Sequence, residues 1–390
     1  MTPLLDFLRT DAPHLHRLSP PAAMPGGEIE VYGTNLGAVS APTAPQILTA
    51  TVGDTPADLA LSRPTRAIVR VPSGGIPGDL VLHRSGHASN PLPVRVAVPM
   101  AENLHPVANP AVDADGRVFA TFSGSRGQQV PVSIFSIDRD FQIRPFVREL
   151  MNPTGLAFDR SGTLFVSSRA EGTVYRVSAT GQVSTYAEGL GIATGIAFDN
   201  YGNLYVGDRS GTIFKIAATS PGQTPDSSNI FVFATLEPSM AAYHLAFNAT
   251  GTLFVTGPTT SSNQAVYAIA PDGTTTVFFQ GLGRAQGMAF DVYDNLYVAA
   301  SLQGQRGIIR ITPSGEASLA VSGSNLVGLA FLEDGCAALA TRDALYHVAL
   351  DIEGRPLVSS GFTMDVCQAT NANAIFPQEK WHFDGSSAPQ

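Results

Sequence analysis

A pattern that recurs every 40 to 49 residues between residues 107 and 360 is the feature that most constrains this 390-residue chain. Each copy contains a short apolar segment such as Leu-Ala-Phe, a tight turn and a second apolar segment, and in the clearest copies the turn has the form Asp-x-x-Gly. The last turn position is, copy by copy, Gly116, Gly162, Gly202, Gly251, Asp294 and Gly335. Six copies at this period predict a six-bladed β-propeller.

The clearest copies, residues 154–166 and 194–206, indicate what each segment does. The apolar triplet is typical of an inner strand beside a central channel, with a small alanine where the blades converge. In the turn, Asp can bond to the backbone two residues on, and Gly supplies a positive φ. Residues 172–177 and 181–186 add a third and a fourth strand. The copies are in phase, so ring closure requires no exchanged strand, and residues 98–104 are the segment that could supply one.

The chain before the repeats predicts a second all-β domain. Short segments with strand-like alternation, such as residues 28–33, 67–72 and 80–83, are separated by turns at 25–27 and 76–79. Strands at this spacing predict a β-sandwich. We therefore expect an all-β chain with a sandwich over residues 10–98, a propeller over 104–361 and a C-terminal tail over 362–390.

Two family resemblances accompany these patterns. The segments 18–21, 32–37 and 71–78 resemble the immunoglobulin-like IPT/TIG domain. The copies at 154–166 and 194–206 resemble NHL-repeat propellers and the gluconolactonase family, which includes senescence marker protein. The resemblance implies an immunoglobulin-like sandwich followed by a six-bladed propeller. It does not select a function, because such propellers include lactonases, lyases, binding modules and scaffolds.

Composition excludes several partners. The chain has 23 basic and 32 acidic residues and no basic run, so we expect no nucleic-acid binding. No apolar stretch approaches the roughly 18 residues of a membrane-spanning helix. Residues 1–17 lack the pattern of a signal peptide, which predicts a cytoplasmic protein unless a misplaced start hides an export signal. Two cysteines are too few for a disulfide framework. We expect Cys336 and Cys367 to be small buried residues, with a bridge to the last repeat as the alternative.

The loops opposite the Asp-x-x-Gly turns carry the predicted ligand site, because propeller ligands normally bind over that mouth of the channel. Loops between second and third strands carry Arg126, Arg169, Arg209, Arg306 and Arg342. Residues just before the inner strands add Thr154, Thr194, Tyr243, His244 and Gln286. Clustered guanidinium groups suit an anionic ligand. In the alternative reading, each Arg pairs with a local acid such as Asp208 or Asp343 and only solvates the rim.

A metal-dependent hydrolase is the catalytic alternative. The gluconolactonase resemblance implies a divalent cation, such as Ca²⁺, held by a carboxylate and Asn side chains. The aligned positions before the inner strands are Ala108, Thr154, Thr194, His244, Gln286 and Val327, and no carboxylate is among them. Asn109, Asn152 and Asp208 remain as weak metal candidates. His244 and Asp208 are the acid–base candidates, although a single His in such a channel is more often a hydrogen-bonded filler.

These observations favour a recognition module that binds a small molecule, glycan or protein at the channel mouth, with the sandwich as a spacer or second contact. The alternatives are a gluconolactonase-like hydrolase and a structural scaffold. No cofactor is implied apart from the Ca²⁺ of the hydrolase alternative.

Overall fold

The computed structural model describes residues 12–37, 48–125, 128–220, 222–261 and 263–355. These residues form β-strands and one 3₁₀ turn, Ser227–Asn229, so the all-β prediction is confirmed. None of the described segments is a helix long and apolar enough to span a membrane. Arg126, Cys367 and the predicted tail lie outside the described residues.

The first part of the chain forms two packed layers of sheet. Its strands are β1 (His14–Ser19), β2 (Ala22–Ala23), β3 (Glu28–Thr34), β4 (Leu48–Val52), β5 (Thr55–Arg63), β6 (Arg66–Arg70), β7 (Gly78–Arg84), β8 (His87–Ala88) and β9 (Leu92–Val96). One layer has the order β1–β3–β6–β5, and the other contains β4, β7, β8 and β9. β5 joins the layers by pairing with both β4 and β6. Alternate residues such as Ile29, Val31, Leu80 and Leu82 fill the core between them.

The second part consists of four-stranded antiparallel groups. They are β11 (Ala111–Val112), β12 (Val118–Thr121), β13 (Ile134–Ile137) and β14 (Ile143–Val147); β15 (Pro153–Phe158), β16 (Leu164–Ser168), β17 (Thr173–Val177) and β18 (Val183–Ala187); and β19 (Ala193–Phe198), β20 (Leu204–Asp208), β21 (Thr212–Ile216) and β22 (Ile230–Thr235). Consecutive strands pair within each group. The first strand of each group lies beside a central channel, which is the arrangement of a β-propeller.

The following strands continue this pairing. They are β23 (His244–Phe247), β24 (Leu253–Thr256), β25 (Gln264–Ile269), β26 (Thr275–Gly283), β27 (Met288–Phe290), β28 (Leu296–Leu302), β29 (Gln305–Ile311) and β30 (Ala317–Ser322). β23 to β26 pair in succession, as do β27 to β30. A short pairing between β26 and β28 joins these two groups into one larger sheet.

An exchanged strand completes the last group. β31 (Leu326–Phe331), β32 (Cys336–Thr341) and β33 (Ala344–Ala349) are followed in the sheet by β10 (Val98–Glu102), which pairs antiparallel with β33. Met100 and Ala101 of β10 are buried there. The strand therefore comes from residues 98–104, which the sequence identified as the available segment but did not require. β10 also precedes residue 104, where the propeller was predicted to begin.

A two-residue strand connects the two parts of the molecule. β2 pairs in parallel with β9 of the sandwich on one side and with β30 of the propeller on the other. Both Ala22 and Ala23 are fully buried, and Met24 N donates to the Ser322 carbonyl at 2.7 Å. A β-carbon at Gly27 would lie 2.5 Å from that carbonyl oxygen, so the close approach requires glycine. The sandwich is thus fixed to the outer edge of the propeller.

Edge-to-face aromatic pairs lie between successive groups of strands. A ring on each second strand contacts the Phe that ends the next inner strand, with centroids 4.9 to 5.3 Å apart: Phe119–Phe158, Phe165–Phe198, Tyr205–Phe247, Phe254–Phe290 and Tyr297–Phe331. Such pairs contribute about 0.5–1.5 kcal/mol each beyond area burial. The joint between the last group and the first instead brings together Ala338 and Val112.

The Asp-x-x-Gly turns form as the sequence predicted. In the turn of Asp159, the carboxylate accepts from Ser161 N and Thr163 N, both at 2.9 Å, and Gly162 has φ +78°. The turns of Asp113, Asp199, Asn248 and Asp291 use the same pair of backbone donors. These turns place a polar side chain at the end of each of these inner strands.

Cys336 is fully buried at the start of β32, as the sequence predicted. It is also disulfide-bonded, which the sequence left open as the alternative. Cys367, the other cysteine of the chain, lies outside the described residues.

Candidate functional site

The central channel is the main cavity candidate, with a volume of about 400 Å³. Alanines from the inner strands line its middle and are called the alanine ring below: Ala111, Ala157, Ala197, Ala246, Ala289 and Ala330. Because these side chains are small, the channel stays open where the strands converge. Its wall is mainly apolar, while the polar residues lie at its two ends.

At the inner end of the channel, each repeat contributes one residue at the same register position relative to its inner strand, and these residues form one level. The strand pairings set Leu156, Ile196 and Leu245 opposite Val166, Val206 and Val255. His244 is therefore level with Gly155 and Gly195, and the sequence alignment that placed it level with Thr154 and Thr194 was displaced by one residue. The residues at this level are Asn109, Gly155, Gly195, His244, Gly287 and Gly328.

The glycines at this level are required by close packing. A β-carbon at Gly155 or Gly195 would overlap a backbone oxygen of the next inner strand. At Gly287 and Gly328, the conflicting atom is the side-chain oxygen of Asn109. Asn109 uses the space that these two glycines leave: its Nδ2 donates to the Met288 carbonyl at 2.7 Å, and its Oδ1 accepts from Leu329 N at 3.2 Å. Asn109 thus joins β27 to β31.

His244 is the other polar side chain at this level. It is 3% exposed and lines the channel, and no hydrogen bond to its imidazole is formed within the described part of the chain. Burial lowers the pKa of the His244 imidazole to about 4. The group is therefore neutral near pH 7, with one nitrogen that donates and one that accepts.

The other end of the channel opens among the Asp-x-x-Gly turns. Its charged lining residues are Asp113, Asp199, Glu333, Glu353, Arg160 and Arg355. Asp113 pairs with Arg117, Glu333 with Arg139 and Arg355 with Asp294. Glu353 and Arg355 belong to the segment that follows β33, and their backbone atoms bond to Val292 and Phe290. This mouth is on the opposite face from the one where the sequence predicted the ligand.

Several predicted contact residues instead form buried links between strands. Thr194 Oγ1 donates to the Gly207 carbonyl at 2.7 Å and accepts from Tyr243 N at 3.1 Å. Thr154 Oγ1 bonds to the Asn152 carbonyl at 3.2 Å, and Gln286 Nε2 bonds to the Leu326 carbonyl at 3.3 Å. Thr154, Thr194 and Tyr243 are buried and do not line the channel. Their predicted ligand contact stays a prediction.

The predicted arginines that the structure describes differ in exposure. Arg169 and Arg209 are half-buried and donate to the carbonyls of Gly124 and Ser239. Arg306 and Arg342 are exposed. None of these four lines the channel. An anion site at this face also stays a prediction.

The metal candidates do not form one donor set. Asn109 bonds within the channel, as described above. Asn152 Nδ2 donates to the carbonyls of Gly124 and Ser125. Asp208 is buried, accepts from Ile192 N at 2.7 Å and also bonds to Ser210. Because each is engaged with a different local segment, the residues present do not fit the divalent cation of the hydrolase alternative.

A separate cluster joins Asp334, Cys336 and His347, whose possible ligand atoms all lie within 4.8 Å of one another. Cys336 is disulfide-bonded and cannot supply the thiolate that a soft metal would require. Burial lowers the pKa of His347. We therefore assign no metal site to this cluster, in which Cys336 is buried, His347 is half-buried and Asp334 is exposed.

The sequence matches no protein-family model and no curated protein. Solved structures do match its fold. A protein of unknown function from Bacteroides thetaiotaomicron has a TM-score of 0.53 at 12% identity, over 87% of this chain and 98% of its own. A candidate gluconolactonase has a TM-score of 0.54 at 16% identity, over 67% and 93%. A gluconolactonase from Xanthomonas campestris has 0.52 at 15%, over 66% and 89%.

Identities this low establish similarity of fold only. The chain is an all-β protein that contains a β-propeller, and its structural neighbours include propellers of the gluconolactonase type.

Proposed function

We propose that this protein is a six-bladed propeller with an N-terminal immunoglobulin-like domain of the IPT/TIG type, and that it binds a small molecule in its central channel. Six successive groups of four strands support the blade count, with β10 completing the last. The match to the Bacteroides protein covers 87% of the chain, whereas the gluconolactonases cover about two thirds. That difference favours a two-domain architecture with boundaries near residue 98.

The observation that carries the binding function is the channel of about 400 Å³ whose apolar wall ends at the buried, neutral His244. A concave, mostly apolar cavity with few convergent polar groups is the usual form of a small-molecule site. A purely structural role explains this less well, because no residue of the described sandwich lines the channel. The hydrolase alternative lacks a donor set for its metal.

The test is to fill the channel and ask whether ligand binding is lost. Ala197→Leu and Ala289→Leu each place a larger side chain in the alanine ring. A small-molecule library is screened by thermal shift against the natural protein, and hits are measured again with both variants. The control is Ala170→Leu, because Ala170 is exposed on the opposite face and does not line the channel.

We expect hits that stabilise the natural protein and the Ala170→Leu control but not the filled variants. Hits that keep full affinity for both filled variants would overturn the channel as the site. If the same hits lost affinity on combined Arg306→Ala and Arg342→Ala substitution, the arginine-bearing face would be the site instead.

A further inference from the structure

We propose that the channel selects small uncharged amphiphiles whose hydroxyl group reaches His244, and that it rejects carboxylates and phosphates of the same size. This inference rests on the proposed function, because it names the chemical class of ligand for that same channel. It replaces the anionic ligand expected from the arginine loops.

The first argument is the polar chemistry at the inner end. Of the two polar side chains at that level, Asn109 uses both amide atoms to join β27 and β31. His244 lines the channel, is 3% exposed and has no side-chain partner within the described ranges. Its ring nitrogens are not among the fully enclosed polar atoms without a partner, so they are open to the channel, where a ligand hydroxyl can replace water as their hydrogen-bond partner.

The second argument is the kind of hydrogen bond that His244 offers. A neutral imidazole has one donor and one acceptor nitrogen, and a hydroxyl group can both donate and accept. A carboxylate can only accept, and it would bring a negative charge into an apolar channel. No cation lies at the inner end of the described channel, since Arg160 and Arg355 line its mouth. The charge would therefore be buried unpaired, which is strongly unfavourable.

The third argument is the charge around the mouth. Four acidic side chains, Asp113, Asp199, Glu333 and Glu353, line it against two arginines. Asp113 and Glu333 are paired with Arg117 and Arg139, and Arg355 Nη2 is paired with Asp294. Among the described lining residues, this leaves Asp199 and Glu353 against Arg160. The potential at the mouth is consequently unfavourable to anions before they enter.

The fourth argument is the shape of the wall. Between the mouth and His244, the channel is lined by the alanine ring and by apolar residues such as Leu245 and Met288. This wall offers an alkyl chain or a narrow ring a dry surface. The ligand is therefore apolar along its length and polar at the end that reaches His244.

The experiment uses three ligands with the same six-carbon chain: 1-hexanol, hexanoate and hexylammonium. Binding to the full-length protein is measured at pH 7.5 by NMR titration of the His244 ring resonances and by calorimetry. The variant is His244→Leu. The matched control is His347→Gln, which alters a histidine in β33 that does not line the channel.

We expect 1-hexanol to bind at least tenfold more tightly than hexanoate, with hexylammonium between them. His244→Leu should lower the affinity for 1-hexanol at least fivefold and leave the affinity for hexanoate almost unchanged. His347→Gln should change neither affinity. Hexanoate binding as tightly as 1-hexanol, or 1-hexanol binding unaffected by His244→Leu, would overturn the inference.

The failure of this inference differs from failure of the proposed function. If the three probes do not bind but another library compound binds and is lost in Ala197→Leu, the channel remains a site and the ligand class is wrong. If no compound loses affinity in Ala197→Leu or Ala289→Leu, both proposals fail.

Discussion

The side-chain oxygen of Asn109 occupies the space that a β-carbon would need at Gly287. The same oxygen lies 2.5 Å from the corresponding position at Gly328. One amide from the segment before β11 thus fits between Gly328 of β31 and Gly287, which directly precedes β27. Packing at this position is therefore set by residues that are distant in sequence.

Substitution of Gly287 by Ala should destabilise the protein by about 1–3 kcal/mol, because the methyl group overpacks this contact. Asn109→Ala should cost about 1–3 kcal/mol, because the Met288 carbonyl and Leu329 N lose their partner. The double variant should cost less than the sum, since removal of the amide makes room for the methyl group. Chemical denaturation of all four proteins measures the coupling, and strict additivity would contradict it.

The short strand β2 should make the sandwich and the propeller unfold together. Gly27→Val places atoms against the Ser322 carbonyl and should displace β2 from β30. We expect calorimetry to show one transition for the natural protein and two for the variant. Asp54→Asn, an exposed change within the sandwich, is the control and should keep one transition. A single transition in Gly27→Val would indicate that other contacts, such as Arg95 with Asp351, suffice to couple the domains.

The sequence predicted features that depend on a few neighbouring residues, but not those that depend on contacts between distant residues. The Asp159 turn needs only residues 159–163, so its carboxylate and Gly162 revealed it. The partner of β10 could not be read in this way, because alternation identifies a strand but not the strand it pairs with. β2 has two residues and is too short for any periodic signal.

The candidate site was predicted only in part, for a related reason. His244 was identified as a channel residue, but its level was displaced by one residue because the segment before it lacks the Thr-Gly pair of the clearest copies. With the correct alignment, a position that is Gly in most copies carries His244 and Asn109. That departure from glycine was the available sequence signal. Tyr243 N donates to Thr194 Oγ1, and no local pattern records a contact between residues so distant in the chain.

The acidic residue of the turn should contribute more to the free energy of unfolding where it is buried. Asp291 is 3% exposed and also accepts from the Asn295 side chain at 2.7 Å and from Tyr297 OH at 3.3 Å. Burial, followed by the charge of Asp291, raises the pKa of Tyr297 to about 12. Asp291→Ala should therefore cost about 3–4 kcal/mol, against about 1–2 kcal/mol for Asp159→Ala, whose partners are partly exposed.

Thermal or urea denaturation of both variants gives these free energies of unfolding. Asp291→Asn is the control, because its amide oxygen can still accept from Tyr293 N and Asn295 N. It should recover at least half of the loss. Equal costs at the two turns would show that burial adds nothing to the contribution of the Asp291 side chain.

His244 should make the protein less stable as the pH falls below 6.5. Its pKa is about 4 in the folded state because of burial, against 6.5 when exposed. Between these values the unfolded chain binds a proton that the folded chain does not, so stability falls as the pH falls. This group alone should remove about 2 kcal/mol between pH 7 and pH 5. Within the described part of the chain, no charged side chain contributes to the shift, and the charged lining residues lie at the opposite end of the channel.

The measurement is the free energy of unfolding from pH 7 to pH 5 for the natural protein and for His244→Gln. The variant should lose less stability over this range by about 2 kcal/mol, whatever its stability at pH 7. His347→Gln is the control: burial also lowers the pKa of His347, while the Asp334 charge opposes that shift. Its effect on the slope should therefore be smaller than that of His244→Gln. Parallel pH profiles for the natural protein and His244→Gln would show that the pKa of His244 is not lowered in the folded state, and hence that the inner end of the channel is hydrated.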